Sequence, residues 1–124
     1  MLRIVKSMAV IAVAGLLASQ AQAEGAKEGA TVFQRCAICH SNTKGAPAKI
    51  GPNLFGIVGR KAGTEANFSY SAAMKASGIT WTPDKLEAYV QHPQVVVPGN
   101  RMAFAGITSK HDAEELVEYL ETLK

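Results

Sequence analysis

The two cysteines of the 124-residue chain stand close together and are followed at once by a histidine. The segment is Cys36-Ala37-Ile38-Cys39-His40. This spacing is typical of covalent haem attachment, in which two thiols about one helical turn apart add to the vinyl groups of one porphyrin. The adjacent histidine is then placed to bind the iron as its proximal ligand. The segment therefore predicts one covalently bound haem c, attached through Cys36 and Cys39 and ligated by His40.

A pair of cysteines at this spacing also occurs in other kinds of site. A Cys-x-x-Cys pair in an exported protein can be a redox dithiol or a structural disulfide. A thioredoxin-like dithiol follows a β-strand in a βαβ pattern, which this sequence does not show. A structural zinc site needs four ligands, whereas His92 and His111 are far apart and unpaired. Haem attachment is the favoured interpretation, and a dithiol or disulfide is the alternative.

The second axial ligand of the iron decides what the haem does. The candidate donors are Met74, His92, Met102 and His111. Met102 follows a Pro98-Gly99 turn on a loop between helices, so it is best placed to reach the iron from the face opposite His40. A thioether ligand raises the reduction potential relative to a second imidazole, and a filled position leaves only electron transfer. An open or weakly filled position would instead predict an enzyme or a gas sensor.

The first 23 residues have the pattern of a secretory signal peptide. Arg3 and Lys6 precede an uncharged apolar run from Met8 to Ala18. Ala21-Gln22-Ala23 then fits a signal peptidase site. The apolar run is shorter than the about 20 residues of a membrane-spanning helix. We therefore expect residues 1–23 to be removed and residues 24–124 to be exported to the periplasm as one domain, with an uncleaved anchor as the alternative.

Charge argues against a nucleic-acid-binding function. The chain has 13 basic and 10 acidic residues, and removal of residues 1–23 lowers the basic count to 11. A nucleic-acid-binding domain needs a strongly basic surface, which this balance does not supply. Basic residues nevertheless predominate between Arg35 and Arg101, whereas acidic residues predominate from Asp112 to Glu121. This dipolar distribution either steers a charged partner or is simply a solvated surface.

Hydrophobic periodicity and capping residues predict an all-α domain with three main helices, one or two short helices and long loops. The main helices are expected from Glu24 to about Cys39, from Pro83 to about Gln91, and after a Ser109–Asp112 capping box. Residues 71–77 predict a short helix, and residues 95–97 an extended segment. The glycine- and proline-rich stretch 41–70 is long for a loop in a compact domain, which is acceptable if it packs on a cofactor.

The chain from Gly25 to Lys124 resembles the small class I cytochromes c of mitochondria and bacteria. Several motifs carry the resemblance in the expected order. They are Cys36-Ala37-Ile38-Cys39-His40, Gly51-Pro52-Asn53-Leu54, Gly59-Arg60-Lys61, Phe68-Ser69-Tyr70, Gly78-Ile79-Thr80-Trp81, Pro98-Gly99-Asn100-Arg101-Met102 and Phe104-Ala105-Gly106-Ile107. The resemblance implies the cytochrome c fold around one covalent haem. It also implies a one-electron carrier between respiratory or photosynthetic redox complexes, and not an enzyme.

The resemblance also implies individual roles. His40 is the proximal ligand and Met102 the distal ligand. The carbonyl of Pro52 accepts the other N–H of His40, and Tyr89 donates to the sulfur of Met102. The expected propionate-binding residues are Arg60, Tyr70 and Trp81. Gly29 and Phe33 are expected to cross the last helix near Leu116 and Tyr119.

The sequence departs from the family in two places. Met74 occupies a position where many relatives have an asparagine beside a haem water network. Gln94 and Val95 replace lysines that dock the oxidase in mitochondrial members, so the docking face is less basic. The residues expected to border the haem edge are Arg35, Lys49, Lys75 and Arg101. We expect a monomer that binds redox partners through a small, transient interface and does not bind nucleic acid.

Overall fold

A computed structural model describes the backbone of residues 9–124 and the side chains from residue 15 onward. The helices in chain order are α1 (Ala9–Ala37), α2 (Ala72–Ala76), α3 (Pro83–Gln91), α4 (Pro93–Val96) and α5 (Lys110–Glu121). Between residues 9 and 124 there is no strand, and one isolated antiparallel bridge joins Lys61 to Thr80. The predicted all-α class is confirmed, with three main helices, two short ones and long loops.

Helix α1 differs from its predicted limits. It begins at Ala9 instead of Glu24, because the preceding segment is rich in alanine and leucine, which favour helix, and contains no proline. Side chains 15–24 are all exposed, and packing against the domain begins at Gly25. Arg3 and Lys6 of the expected leader lie outside the described residues. Among the helices of residues 9–124, none is long and apolar enough to cross a membrane.

Helix α5 packs against α1 and α3. The backbones of α1 and α5 approach closely at Gly29, where a side chain would collide with the Glu115 carbonyl oxygen and lie 2.8 Å from Cβ of Tyr119. The rings of Phe33 and Tyr119 pack beside this contact, with centroids 5.3 Å apart. The prediction that Gly29 permits a helix crossing is confirmed, because only a residue without Cβ allows the two backbones this close.

Helices α2, α3 and α5 each begin after a hydroxyl residue that caps the helix. Hydroxyls of Ser71, Thr82 and Ser109 each accept from the backbone N–H three residues on, at 3.0, 3.3 and 3.2 Å. The interpretation of residues 95–97 as an extended segment is wrong for Val95 and Val96, which are helical, whereas Val97 follows the helix with φ of −130° and ψ of 80°. Pro93 opens one further helical turn, α4, and the N–H of Val97 donates to the Pro93 carbonyl at 3.0 Å. Proline favours the first position of a helix, where its missing N–H is not needed.

The hydrophobic core lies between the three main helices and reaches the loops. Its most completely buried large side chains are Ile107, from the loop before α5, and Leu116, from α5. Both also line a large cavity that the loops of residues 38–71 and 97–109 enclose together with the helices. The long loops therefore form much of the wall of this cavity.

Candidate haem-binding site

The cavity has a volume of about 900 Å³ and brings together both cysteines, His40 and Met102. Most of its remaining lining is apolar, and includes Leu54, Ile57, Leu86, Val90, Phe104, Ile107, Leu116 and Leu120. The volume lies within the range of cofactor-binding sites, which are mostly apolar with a few convergent polar groups. Two thiols and an imidazole on one wall, with a thioether also lining the space, match the donor set of haem c. The residues present therefore fit this cofactor.

His40 is placed by the turn that ends α1. The N–H groups of Cys39 and His40 both donate to the Cys36 carbonyl, at 3.0 and 2.9 Å. Nδ1 of His40 lies 2.7 Å from the Pro52 carbonyl oxygen. A carbonyl only accepts, so Nδ1 carries the proton and the Nε2 lone pair is free for a metal. Burial lowers the pKa of His40, although the Pro52 contact opposes this, and the ring is neutral near pH 7.

Gly51 explains how the ring of His40 fits. A side chain at residue 51 would collide with Cε1 of His40 and would lie 2.7 Å from Nδ1 and 2.8 Å from Nε2. The backbone at Gly51 is fixed on both sides, because its N–H donates to the Cys39 carbonyl and its carbonyl accepts from Lys49. Glycine is required here by close approach to the imidazole.

The environment of Cys36 disfavours redox dithiol chemistry. Both cysteines are free thiols and partly buried. Burial raises the pKa of Cys36 to about 11, although Arg35 opposes the shift. A reactive dithiol needs a lowered thiol pKa, so the raised pKa of Cys36 disfavours that alternative. In the described part of the chain, no group of three or more His, Cys, Asp or Glu side chains could hold a metal ion, which disfavours a zinc site.

Met102 lies beside Tyr89. The Tyr89 hydroxyl donates to Sδ of Met102 at 3.9 Å, and the Tyr89 ring packs on Trp81 with centroids 4.9 Å apart. Burial raises the pKa of Tyr89 to about 12, so the hydroxyl keeps its proton and remains a donor. Of the other three candidate axial ligands, only one lines the cavity. Met74 lines the cavity from α2, whereas His92 and His111 do not line it.

The residues expected to hold propionates line the same cavity. Arg60 donates to the Asn53 carbonyl at 2.9 Å, and the Tyr70 hydroxyl accepts from the Glu65 N–H at 3.1 Å. Burial raises the pKa of Tyr70, which keeps its hydroxyl protonated and able to donate. Trp81 is buried. The structure thus brings these side chains to one cavity together with His40 and Met102, the residues expected to bind the iron.

Two buried asparagines were not singled out from the sequence. Asn53, 5% exposed, organises the loop near His40, and Asn100, 7% exposed, organises the loop of Met102. Each makes three hydrogen bonds with its side-chain amide, mainly to backbone groups within ten residues. Their positions after Pro52 and Gly99 are typical of turns, but the sequence does not indicate which carbonyls they meet.

Comparison with known proteins gives a consistent result. A family model described as Cytochrome c matches residues 26–124. The chain is 45% identical over 98 residues to cytochrome c2 of Rhodopila globiformis, covering 78% of this chain and 92% of that protein. It is 42% identical over 101 residues to cytochrome c2 of Blastochloris viridis, covering 82% and 80%. Among solved structures, cytochrome cH from Methylobacterium extorquens matches with a TM-score of 0.73 and 36% identity, covering 78% of this chain and 97% of that one.

Proposed function

Since the chain belongs to the cytochrome c family, and is a one-electron carrier with one covalent haem c and not an enzyme, we propose the residues that perform this function. Cys36 and Cys39 anchor the haem, and His40 and Met102 ligate its iron. The observation that carries this proposal is that one cavity collects both thiols, a histidine with its Nδ1 already bonded, and a methionine beside a tyrosine donor.

The protein residues hold the iron in one arrangement during electron transfer. Haem c, when bound, supplies an iron that gains or loses one electron. Pro52 fixes the ring of His40 and raises its basicity, while Tyr89 holds the sulfur of Met102. With His40 and Met102 both bound to it, the iron would have no free position for a substrate. The gas-sensor and peroxidase alternatives need such a position.

We propose that redox partners dock at the mouth of the cavity. Two large apolar side chains, Ile38 and Ile50, line the cavity and are 74% and 76% exposed. The charged residues of the lining are Arg35, Lys49, Arg60, Lys61 and Arg101. None of the described lining residues is acidic, so this face complements a partner surface with an apolar centre and an acidic border. Lys75, expected at this border, does not line the cavity.

We further propose that residues 1–23 are a signal peptide and that residues 24–124 act in the periplasm as a monomer. The family match begins at residue 26, close to the expected cleavage site. The side chains from residue 15 to residue 24 are exposed, so their removal leaves the core intact. Mass spectrometry of protein from the periplasmic fraction should give a chain beginning at Glu24 with one haem. A membrane-bound chain with its leader intact would contradict this proposal.

Electron exchange with membranes tests the carrier role. The ferrous holoprotein should be oxidised by membranes that contain a terminal oxidase, at a rate proportional to its concentration. Met102→Ala, which keeps the covalent attachment, should be a poor electron acceptor when the ferric protein is mixed with membranes that contain a reductase, because its lowered potential disfavours reduction. If the ferric forms of both proteins are reduced equally fast and to the same extent, the proposed ligand is wrong.

A further inference from the structure

The loop that presents Met102 is held by two side-chain amides, Gln94 and Asn100. We propose that Asn100, supported by Gln94, is the positioning residue that keeps Met102 within reach of the iron and so resists its displacement by other ligands. This inference rests on the proposed ligation by Met102. It concerns how firmly that ligand is held, which the identity of the ligand alone does not determine.

The loop begins with a tight turn after α4. The N–H of Asn100 donates to the Val97 carbonyl at 3.1 Å, which closes a four-residue turn. Pro98 occupies its second position and Gly99 its third, with φ of +86° at Gly99. This combination is that of a type II turn, in which the third residue must adopt positive φ. The turn brings Asn100 back over the end of α4, two residues before Met102.

The amide of Asn100 links the end of α4 to Met102. Its Nδ2 donates to the carbonyls of Pro93 and Val97, both at 2.9 Å. Its Oδ1 accepts from the backbone N–H of Met102, also at 2.9 Å. Each of these carbonyls also accepts a backbone N–H, Pro93 from Val97 and Val97 from Asn100. The amide of Asn100 therefore adds a second bond to each carbonyl and ties Met102 to α4 and the turn after it. The side chain is 7% exposed, so water does not readily replace these bonds.

Gln94 supports the same turn from outside. Its Nε2 donates to the Asn100 carbonyl at 3.0 Å, and its Oε1 accepts from the Gly99 N–H at 3.2 Å. Gln94 is exposed, so it holds the turn without contributing to the core. The two amides together bond the backbone of the turn on both sides of Gly99. Loss of either one leaves the backbone before Met102 less constrained.

The chain beyond Met102 is fixed separately. The N–H of Ile107 donates to the Val90 carbonyl at 2.8 Å. At Gly106, where φ is +116°, a side chain would collide with the Gln91 carbonyl. These contacts anchor the far end of the loop to α3 whether or not Asn100 is present. On the near side of Met102, Asn100 supplies the bond to its N–H, the Arg101 side chain donates to the Ser69 carbonyl, and Tyr89 bonds the sulfur. Of these three contacts, the bond from Asn100 is the one that holds the backbone of Met102.

Asn53 provides a matched control. It is 5% exposed, close to the value for Asn100. Its Nδ2 donates to the carbonyls of Thr43 and Ala46 at 2.8 and 3.1 Å, and its Oδ1 accepts from the Phe55 N–H at 3.0 Å. Both asparagines thus bury the same group with the same number of bonds. Only Asn100 bonds the residue proposed as the distal ligand.

The experiment is a titration of ferric holoprotein with imidazole, which competes with Met102 for the iron. Asn100→Ala should bind imidazole at least about tenfold more tightly than wild type, because each lost hydrogen bond weakens the hold on Met102. Gln94→Ala should bind it a few-fold more tightly. Asn53→Ala should lose as much stability in guanidinium unfolding as Asn100→Ala but keep the wild-type imidazole affinity. The near-infrared band of iron–methionine ligation should weaken only in the Asn100 and Gln94 variants.

Wild-type imidazole affinity in Asn100→Ala, or an equal change in Asn53→Ala, would overturn the proposal. If Asn100→Ala yields no holoprotein, the exposed Gln94 carries the test, and an unchanged affinity in Gln94→Ala overturns it. Failure of the underlying ligation is recognised separately. In that case the wild-type protein itself lacks the near-infrared band, and Met102→Ala binds imidazole no more tightly than wild type.

Discussion

Replacement of Gly51 by alanine tests whether the imidazole position is built into the loop. An added Cβ would lie 2.7 Å from Nδ1 of His40, whereas ordinary contact begins at 3.4 Å, so the ring must retreat by at least 0.7 Å. The ring is bonded to the Pro52 carbonyl at 2.7 Å, and the backbone of Gly51 is held by bonds to Cys39 and Lys49. Neither side can therefore move without the loss of a hydrogen bond.

The expected loss of stability combines the steric collision with the loss of a hydrogen bond. Overpacking of a buried site costs about 1–3 kcal/mol, and loss of the His40–Pro52 bond adds about 1 kcal/mol. We expect Gly51→Ala to lower the free energy of unfolding of the holoprotein by about 2–4 kcal/mol and to change its reduction potential. Guanidinium unfolding followed by haem absorption, together with a redox titration, measures both quantities.

Gly29→Ala is the control for this prediction. It also introduces a collision, with the Glu115 carbonyl, but at the α1–α5 crossing and away from His40. It should lower stability while leaving the reduction potential as in wild type. A Gly51→Ala holoprotein with wild-type potential and a stability change below about 0.5 kcal/mol would refute the argument.

Three further predictions concern the distal side and the docking face. Met102→Ala should retain covalent haem and lower the reduction potential by on the order of 100 mV or more in a redox titration, because a soft ligand that favours the ferrous iron is lost; an unchanged potential would show another ligand. Tyr89→Phe removes the donor to Sδ and should lower the potential by about 20–40 mV, the equivalent of one weak hydrogen bond; a rise would contradict that role. Lys49→Gln should slow oxidation by membranes about two- to fivefold at low ionic strength but not at high salt, because electrostatic steering is screened. Lys85→Gln, whose residue does not line the cavity, is the control, and an equal effect in it would argue against docking at the mouth.

The parts of the fold that depend on local sequence were predictable. Thr82 and Pro83 mark the start of α3 because capping and a fixed proline φ act within a few residues. Ser71 and Gly78 bracket α2 for the same kind of reason. The attachment motif was recognisable because the porphyrin itself fixes the spacing of the two thiols and the histidine.

The parts that depend on distant contacts were not predictable. Residues 95–97 have a β-branched composition that favours extended structure, yet Pro93 and the amide of Asn100 stabilise a helical turn there. The role of Asn100 needs the positions of two carbonyls and one N–H, which appear only once the turn is folded. The close fit of Gly51 to His40 likewise joins residues eleven positions apart. The sequence motif contains this glycine but does not show that it contacts the imidazole.

The near-infrared spectrum and carbon monoxide binding of the purified holoprotein test the central claim most directly. If His40 and Met102 fill both axial positions, the ferric protein shows the weak near-infrared band of iron–methionine ligation, and the ferrous protein does not readily bind carbon monoxide. Both properties should be lost in Met102→Ala. A wild-type protein without the band that binds carbon monoxide at once would contradict the assignment of a closed, methionine-ligated iron.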